Sequence, residues 1–314
     1  MSLNKDLINS LVKVTSRAAI NCYQYLGKEN KKLADKAATD SMRNDLNNLE
    51  INGEVVIGEG ELDEAPMLYI GEKLGKGNGP SLDIAVDPLE GTNFVAKNIP
   101  GAISVLAISE KGNLFNAPET YMNKIAVGKD IPFDATDLDY PIKKNIFNIA
   151  EAKNKNIDEL TVCILDRPRH KNIIEELKSL KVNLKLISDG DICGALLVTD
   201  NKYNIDLFLG IGGGPEGVIS AAALDAYGCK FQGRFIFDND KDILRAKKMG
   251  IKDLEKKYEL HEIIKGDSIF CATGITKNEL VNGVKLIDGK FITETLVTQK
   301  NIIPYIAKKE VPIT

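Results

Sequence analysis

Acidic side chains follow two short apolar segments in the N-terminal half of the sequence. Glu59 comes after the run 55–58, and Asp87 and Glu90 close the run 82–88. A carboxylate at the end of a buried strand is costly unless a partner neutralises it, and strand ends are where open α/β proteins bind ligands. Because no cluster of soft ligands accompanies these acids, they favour Mg²⁺ or Mn²⁺. The pattern predicts a divalent-metal site, with solvated loop acids as the alternative.

Three residues next to Asp87 and Glu90 suit phosphate binding. Pro88 fixes a turn, Gly91 allows a close backbone approach, and Thr92 provides a hydroxyl group where a helix can begin. Carboxylates beside a helix N-terminus can bind a divalent metal and a phosphate together.

Arginines in the C-terminal half supply the opposite charge. Arg167 and Arg169 follow the predicted strand 161–166 and can hold a phosphate through paired hydrogen bonds. A basic surface segment that starts a helix is the alternative. Asp189 and Asp191 follow the next predicted strand. Asp189 can accept hydrogen bonds from sugar hydroxyl groups, whereas Asp191 can equally be a helix N-cap.

A glycine-rich segment, 210–217, ends a further predicted strand and begins a helix. Its amides can approach a ligand closely, and Glu216 adds another acid at a strand end. The segment lacks the lysine and hydroxyl residue of a Walker A loop and the spacing of a dinucleotide-binding loop. His170 and His261 have no serine or cysteine partner in a catalytic pattern, so no catalytic triad is predicted.

The order of the helices and strands that position these residues changes near residue 155. Apolar spacing predicts helices and strands in the first part, with one helix ending at Leu74 and a hairpin partner after the turn 110–113. The predicted helices are 3–26 and 36–50, and the predicted strands are 55–58, 82–88 and 102–109. From 161 to 226 strands and helices alternate, which is typical of a parallel sheet. A strand at 268–274 and a hairpin at 284–298 follow.

We expect two domains. Residues 1–155 would form an N-terminal α+β metal-binding domain, and residues 156–314 a C-terminal α/β substrate-binding domain.

The composition excludes several classes of function. The chain has 314 residues, with 41 Lys and Arg against 45 Asp and Glu, a net charge of −4 and a pI near 5.5. This acidic balance argues against nucleic acid or an anionic membrane as a partner. No apolar run is long enough to span a membrane, and the N-terminus lacks the features of a signal peptide. Five scattered cysteines and only two histidines argue against a zinc site and predict reduced thiols in a cytoplasmic protein.

Longer blocks of the sequence resemble one known family. The segments V-I-G-E-G-E-L-D-E-A-P-M-L-Y-I-G-E-K (56–73) and D-I-A-V-D-P-L-E-G-T (83–92) are similar to those of class II fructose-1,6-bisphosphatases of the GlpX type. The similarity continues in the family's order over nearly the whole chain, through A-P-E-T-Y-M-N-K, R-P-R-H, S-D-G-D, G-I-G-G-G-P-E-G-V and A-T-G-I-T.

The resemblance implies an α/β fold, the layered α/β/α/β/α sugar-phosphatase fold of the metal-dependent, lithium-sensitive phosphatase superfamily. It implies a phosphoric monoester hydrolase that removes the 1-phosphate of fructose 1,6-bisphosphate in gluconeogenesis. The implied cofactor is Mn²⁺ or Mg²⁺, and the implied assembly is a homo-oligomer, either a dimer or a tetramer.

The family's functional residues can be carried over by matching its motifs. The metal ligands would be Asp35, Glu59, Asp87, Glu90 and Glu216. The substrate contacts would be Glu90, Gly91, Thr92, Tyr121, Arg167, Pro168, Arg169, Asp189, Gly190, Asp191 and Gly213. The catalytic residues would be Asp63, Thr92 and Lys31, with Lys32 as the alternative to Lys31.

Other functions stay open at this point. The segments L-D-R-P-R-H-K and L-I-S-D-G-D are also similar to those of relatives that hydrolyse sedoheptulose 1,7-bisphosphate. An inositol or other sugar monophosphatase would use the same metal motif, but the paired arginines favour a second phosphate. A catalytically inactive sugar-phosphate sensor is the alternative outside the enzymes. The family also carries a longer insertion between 231–238 and 246–251, which this chain abbreviates.

Overall fold

Residues 3–58 and 68–313 are described by the computed structural model, and the chain divides into two units. The first unit comprises Met1–Phe115 and Ile264–Thr314, and the second comprises Asn116–Ile263. This division differs from the expected one at residue 155, because the chain after residue 263 returns to the sheet of the first unit. Residues 116–155, which we expected in the metal-binding domain, belong to the second unit.

The helices are α1 (Lys5–Tyr23), α2 (Lys31–Asn47), α3 (Thr92–Lys97), α4 (Ile142–Lys153), α5 (Lys171–Ser179), α6 (Asp191–Leu196), α7 (Gly214–Ala226), α8 (Asp240–Lys248) and α9 (Leu260–Ile263). The strands are β1 (Asn52–Ile57), β2 (Lys73–Leu74), β3 (Ser81–Glu90), β4 (Ile103–Glu110), β5 (Tyr121–Val127), β6 (Thr161–Leu165), β7 (Asn183–Ile187), β8 (Leu207–Gly213), β9 (Lys230–Ile236), β10 (Lys257–Glu259), β11 (Ser268–Gly274), β12 (Lys285–Ile287), β13 (Lys290–Gln299) and β14 (Ile302–Pro312).

The first unit is built on a mostly antiparallel sheet in the order β12-β13-β11-β4-β3-β1-β2, and β14 pairs with β13. Helix α1 packs against this sheet, since apolar residues such as Ile8, Leu11 and Cys22 recur at helical spacing and are buried. Asn4 caps α1 by accepting a hydrogen bond from the amide of Leu7 at 2.9 Å.

Most elements predicted for the first unit are confirmed, with shifted ends. Helix α2 begins at Lys31 rather than at residue 36, because the side chain of Asn30 accepts a hydrogen bond from the Leu33 amide at 3.1 Å and caps the helix there. The helix predicted to end at Leu74 is wrong over 68–74, where β2 ends the segment. The hairpin predicted after β4 is also wrong, because the next strand, β5, joins the sheet of the second unit.

The second unit contains a sheet in the order β10-β9-β5-β8-β6-β7. Strands β6, β7 and β8 are parallel, which confirms the predicted alternation of strands and helices. Buried side chains of the sheet, such as Ile125, Val162 and Leu207, share a core with Ile146 of α4 and Leu177 of α5. Both units therefore mix helices with a sheet, as the predicted α/β class requires.

Two further predictions concern the whole chain. All five cysteines are buried and carry free thiols. No helix within residues 3–58 and 68–313 is both long enough and apolar enough to cross a membrane.

Candidate active site

A β-bulge in β3 places two predicted metal ligands on one face of the sheet. Asp87 lies opposite Val105 of β4 and Glu90 lies opposite Ile103, so two residues of β3 face a single residue between them. Because side chains alternate between the faces of a strand, a spacing of three would otherwise put Asp87 and Glu90 on opposite faces. The extra residue of the bulge removes this offset, and Pro88, which has no amide hydrogen to donate, lies within it.

The chain turns sharply after these acids. Gly91 adopts a left-handed conformation with φ of 84° and ψ of 47°, and α3 begins at the next residue, Thr92. A Cβ atom on Gly91 would lie 2.6 Å from the ring of Phe94. Glu90 is 5% exposed, whereas Asp87 is half-buried and accepts a hydrogen bond from a main-chain amide. The turn thus holds two carboxylates and a hydroxyl group within one short segment.

Helix α2 packs on β3 and α3 and contributes Asp35 to the first unit. Asp35 is partly buried, and its Oδ1 atom has no hydrogen-bond partner among the described residues. Burial raises the pKa of Asp35, because the charged form loses solvation. Burial and the charge of Asp35 together raise the pKa of the Cys22 thiol. A buried carboxylate oxygen that receives no hydrogen bond is suited to contact a cation.

Four residues predicted to act near the reacting phosphate are not placed together by the described part of the structure. Glu59 and Asp63 lie outside the described residues. Strand β1, whose last residue is Ile57, runs parallel to β3, so these two strands end at the same edge of the sheet. Lys31 and Lys32 are both exposed in the first turn of α2. Among residues 3–58 and 68–313, no three His, Cys, Asp or Glu side chains are grouped closely enough to hold a metal ion by themselves.

The predicted substrate contacts of the second unit meet at one edge of its sheet. They follow β6 or β7, end β8 or begin β5: Arg167, Pro168, Arg169, Asp189, Gly190, Asp191, Gly213 and Tyr121. Because β6, β7 and β8 are parallel, their carboxyl ends lie at the same edge. Strand β5 is antiparallel to β8, and its first residue, Tyr121, lies opposite Gly213. The structure therefore brings these residues together.

The two arginines at this edge are held in place but accessible. The guanidinium of Arg169 lies 4.7 Å from the ring centre of Tyr121, and its Nε donates a hydrogen bond to the carbonyl of Ile211 at 2.9 Å. Arg167 forms an ion pair with Asp189 at 3.5 Å, and the two side chains are 36% and 28% exposed. A guanidinium fixed on one side keeps further N–H groups with which it can bind a phosphate.

His170 fixes the segment that carries Arg169. Its side chain is fully buried. The amide of Ile211 donates to His170 Nε2 at 2.7 Å, so the ring proton lies on Nδ1, which donates to the carbonyl of Leu165 at 2.6 Å. Burial lowers the pKa of His170, which keeps the ring neutral. The imidazole links the end of β6 to β8 and so has a positioning role, which the sequence pattern around His170 does not indicate.

Lys124 is a second residue that the sequence did not single out. It lies on β5, is 1% exposed, forms an ion pair with Asp191 and donates a hydrogen bond to the carbonyl of Gly213 at 2.8 Å. Gly212 makes room for this pair, because a Cβ atom there would collide with the Asp191 carboxylate. Lysine is rarely fully buried unless it is paired. Lys124 thus joins the segments that follow β7 and β8.

Glu216 lies in the first turn of α7. Its Oε2 atom is buried and has no hydrogen-bond partner in the described part of the chain. Burial raises the pKa of Glu216, and the nearby positive charge of Lys124 offsets part of this effect. The carboxylate lies over Gly213, where a Cβ atom would collide with it. Asp35 and Glu216 therefore each have a buried carboxylate oxygen without a hydrogen-bond partner among the described residues, which suits a ligand of a hard divalent cation.

Buried carboxylate oxygens without hydrogen-bond partners suit a hard divalent cation, and arginines at the end of a strand suit a phosphate group. The family model "Bacterial fructose-1,6-bisphosphatase, glpX-encoded" matches residues 5–309. The chain belongs to this family, which confirms the resemblance seen in the sequence. It is a phosphoric monoester hydrolase of the fructose-1,6-bisphosphatase type, in a family that depends on a divalent metal.

Curated relatives agree with this assignment. The D-fructose 1,6-bisphosphatase class 2/sedoheptulose 1,7-bisphosphatase of Synechococcus sp. (strain JA-3-3Ab) is 42% identical over 314 residues, which cover 91% of this chain and 90% of that protein. The protein of the same name from Prochlorococcus marinus (strain MIT 9301) is 42% identical over 315 residues, covering 94% and 92%. A solved structure of an extragenic suppressor from Pyrococcus furiosus has a TM-score of 0.32 and 14% identity over 62% of this chain and 70% of that one, which supports no conclusion.

Proposed function

We propose that this chain hydrolyses the 1-phosphate of fructose 1,6-bisphosphate with its carboxylates and binds the rest of the substrate with the polar edge of the second unit. The bulge of β3 is the observation that carries the first half of this proposal. It puts Asp87 and Glu90 on one face, directly before the turn at Gly91 and the hydroxyl group of Thr92.

The residues proposed to hold Mg²⁺ or Mn²⁺ are Asp35, Glu59, Asp87, Glu90 and Glu216. A bound divalent metal supplies positive charge to the phosphate and lowers the pKa of a water molecule. Thr92, which begins α3, orients the attacking water together with Asp63. Lys31, or Lys32 in its place, lies near the reacting phosphate.

The second half of the proposal concerns the distal phosphate and the sugar. Arg169, fixed by Tyr121 and the Ile211 carbonyl, binds the distal phosphate together with Arg167. Asp189 and Asp191 accept hydrogen bonds from sugar hydroxyl groups. Binding energy from the distal phosphate is what favours a bisphosphate over a monophosphate.

The metal assignment is tested with Glu90→Gln. The variant keeps the size of the side chain but loses its charge, so phosphate release from fructose 1,6-bisphosphate should fall by about a hundredfold to a thousandfold, the range found when one preorganised electrostatic group is removed. Glu110→Gln is the matched control, because Glu110 ends the neighbouring strand β4 and is exposed. Equal activity of the two variants, with Mg²⁺ or Mn²⁺ present, would remove Glu90 from the site.

The distal-phosphate assignment is tested with Arg169→Ala. The KM for fructose 1,6-bisphosphate should rise much more than the KM for p-nitrophenyl phosphate, which has no second phosphate. Arg234→Ala is the control, since Arg234 lies in the same sheet but pairs with Asp139. A similar rise for both substrates would contradict the assignment.

Hydrolysis of sedoheptulose 1,7-bisphosphate is the second candidate activity, because the names of both curated relatives include it. Release of phosphate from each bisphosphate, measured with Mg²⁺, with Mn²⁺ and with EDTA, decides between a single and a dual activity. The same series decides which metal supports turnover. The five free, buried cysteines support a cytoplasmic location for this activity.

A further inference from the structure

The segment A-T-G-I-T (272–276) has no part in the site described so far, yet it ends close to the acids of β3. Gly274, the last residue of β11, pairs with Ile103 of β4, and Ile103 pairs with Glu90. Since neighbouring strands lie about 4.8 Å apart, the end of β11 is about 10 Å from Glu90. Thr276 follows this strand and is 7% exposed. It is therefore close enough to act on the turn that comes after Glu90.

Thr276 binds both main-chain polar groups of Ala102. Its Oγ1 atom accepts a hydrogen bond from the Ala102 amide at 2.9 Å. The carbonyl of Ala102 accepts from the amides of Ile275 at 2.9 Å and Thr276 at 3.2 Å. The amide of the preceding residue, Gly101, donates to the carbonyl of Lys277 at 3.0 Å. Because Ala102 is fully buried, water cannot replace a lost partner there.

The ring of Phe94 contacts both Gly101 and the turn at Gly91. A Cβ atom on Gly101 would lie 2.4 Å from this ring, and a Cβ atom on Gly91 would lie 2.6 Å from it. The amide of Phe94 also donates to the carbonyl of Gly91 at 2.8 Å. A shift of residues 101–102 would therefore displace the ring and, with it, the first turn of α3, where Thr92 lies.

We propose that Thr276 is a positioning residue for the hydroxyl group of Thr92. This role rests on the function proposed above, in which Thr92 orients the attacking water. Thr276 fixes Ala102, and the ring of Phe94 carries this position into α3. A displacement of about 1 Å can cost about a hundredfold in rate, so a residue two strands away from the reacting groups can still determine the rate.

Thr276→Val tests the role of the hydroxyl group, because valine keeps the shape of the side chain but offers no acceptor to the Ala102 amide. The kcat for fructose 1,6-bisphosphate should fall by about tenfold to a hundredfold. The KM should stay near that of the wild type, since the orientation of the water matters only in the transition state. Thr276→Ser keeps the acceptor and should restore most of kcat. A Thr276→Ser variant as slow as Thr276→Val would overturn the role of the hydroxyl group.

Thr273→Val is the matched control from the same segment. Thr273 is fully buried, and its hydroxyl group donates to Thr15 of α1 at 2.7 Å. It lies opposite Ser104 of β4, so its side chain is on the other face of the sheet from the carboxylates of the bulge. The variant loses a buried hydroxyl group, as Thr276→Val does, but its kcat should stay near that of the wild type. Equal losses of kcat in the two variants would overturn the proposal.

Phe94→Leu tests the ring contact without altering the hydrogen bonds of Thr276. Its kcat should also fall, and the double variant with Thr276→Val should lose less than the product of the two single effects, because both changes act on the same path. A normal kcat in Phe94→Leu, or fully multiplicative effects, would contradict a path through the ring.

Hydrogen exchange gives a readout that does not depend on the substrate. In Thr276→Val the amides of residues 92–98 should exchange about tenfold faster, the effect of leaving one buried amide unpaired, whereas Thr273→Val should not change them. Unchanged exchange in Thr276→Val would overturn the proposal, and so would faster exchange with an unchanged kcat. A wild-type chain that releases no phosphate from fructose 1,6-bisphosphate would instead contradict the proposed function, and the exchange rates would then decide alone whether Thr276 positions α3.

Discussion

Replacing Lys124 by methionine is expected to destabilise the second unit strongly. Lys124 is 1% exposed, and the side chain of its partner Asp191 is 10% exposed. Removing one member of a buried ion pair leaves the other charge buried without compensation, which costs about 3–5 kcal/mol. The variant also loses the charged hydrogen bond to the Gly213 carbonyl, and this loss is part of the same figure. We therefore expect the free energy of unfolding to fall by about 3–5 kcal/mol.

The measurement is urea denaturation followed by circular dichroism, with a control from the same unit. Asp206 is 2% exposed and binds Lys153 at 2.7 Å, but it also binds Lys155 at 3.0 Å and the Thr161 amide at 2.9 Å. Lys153→Met leaves these partners in place and should cost only about 1 kcal/mol.

A double variant separates the orphaned charge from the loss of packing. Lys124→Met combined with Asp191→Asn removes both charges. The double variant should therefore lose less unfolding free energy than the two single variants lose in sum, with a coupling energy of about 2 kcal/mol. Strictly additive effects, or a Lys124→Met variant as stable as Lys153→Met, would refute the view that this ion pair organises the edge of the sheet.

Three further outcomes follow from neighbouring residues. Burial alone would raise the pKa of Asp206, but hydrogen bonds from Lys153, the Thr161 amide and Lys155 outweigh this effect and hold the pKa below its usual range. The ionised Asp206 therefore stabilises the fold above about pH 4, and this stabilisation is lost as the pH falls through the lower pKa of the folded state. In urea titrations at decreasing pH, the wild type should lose more stability than Asp206→Asn. His170→Ala should lower the free energy of unfolding by about 2–4 kcal/mol, since two buried main-chain groups lose their partner, and an unchanged denaturation midpoint would contradict this. Gly213→Ala introduces no backbone strain, because φ of Gly213 is −64°, but the added Cβ atom would collide with the Glu216 carboxylate. Metal-dependent turnover should therefore fall while the denaturation midpoint stays near that of the wild type.

The sequence predicts regular elements well wherever a single element carries the signal. The apolar run at 82–88 predicts β3, and the alternation from 161 to 226 predicts the parallel strands β6, β7 and β8. These signals are local, because burial of one face or both faces of an element shows in its own residues. The bulge between Asp87 and Glu90 is not local, since it is defined by the register of β3 against β4.

Long-range pairing explains the remaining differences. The segment after β4 has the composition of a hairpin partner, but β5 pairs with β8 and β9 instead. Strand β11 pairs with β4 although more than 150 residues separate them, which makes the first unit discontinuous in sequence. Nothing in the residues of either segment encodes the choice of partner by itself.

Lys124 shows the same limit for a functional residue. Strand β5 reads Tyr-Met-Asn-Lys-Ile-Ala-Val, and a lysine in such a strand is normally assigned to the solvent-exposed face. Its burial depends on Asp191 and Gly213, which come from segments 67 and 89 residues away. The pattern Ser-Asp-Gly-Asp indicated polar residues at a strand end, but it could not indicate that one of them neutralises a buried lysine.

Both units nevertheless use the same local structure at an acidic residue, a left-handed glycine between the acid and a short helix. Gly91 and Gly190 both have left-handed backbones, with φ of 84° and 86°, and each directly precedes a helix of six residues. In each case a carboxylate, Glu90 or Asp189, comes immediately before the glycine. A residue with a Cβ atom pays about 1–3 kcal/mol in this conformation, so the glycine lets the chain reverse within one residue of the acid. The acid is thereby kept at the strand end and the helix starts beside it, an arrangement that a longer loop would make less rigid.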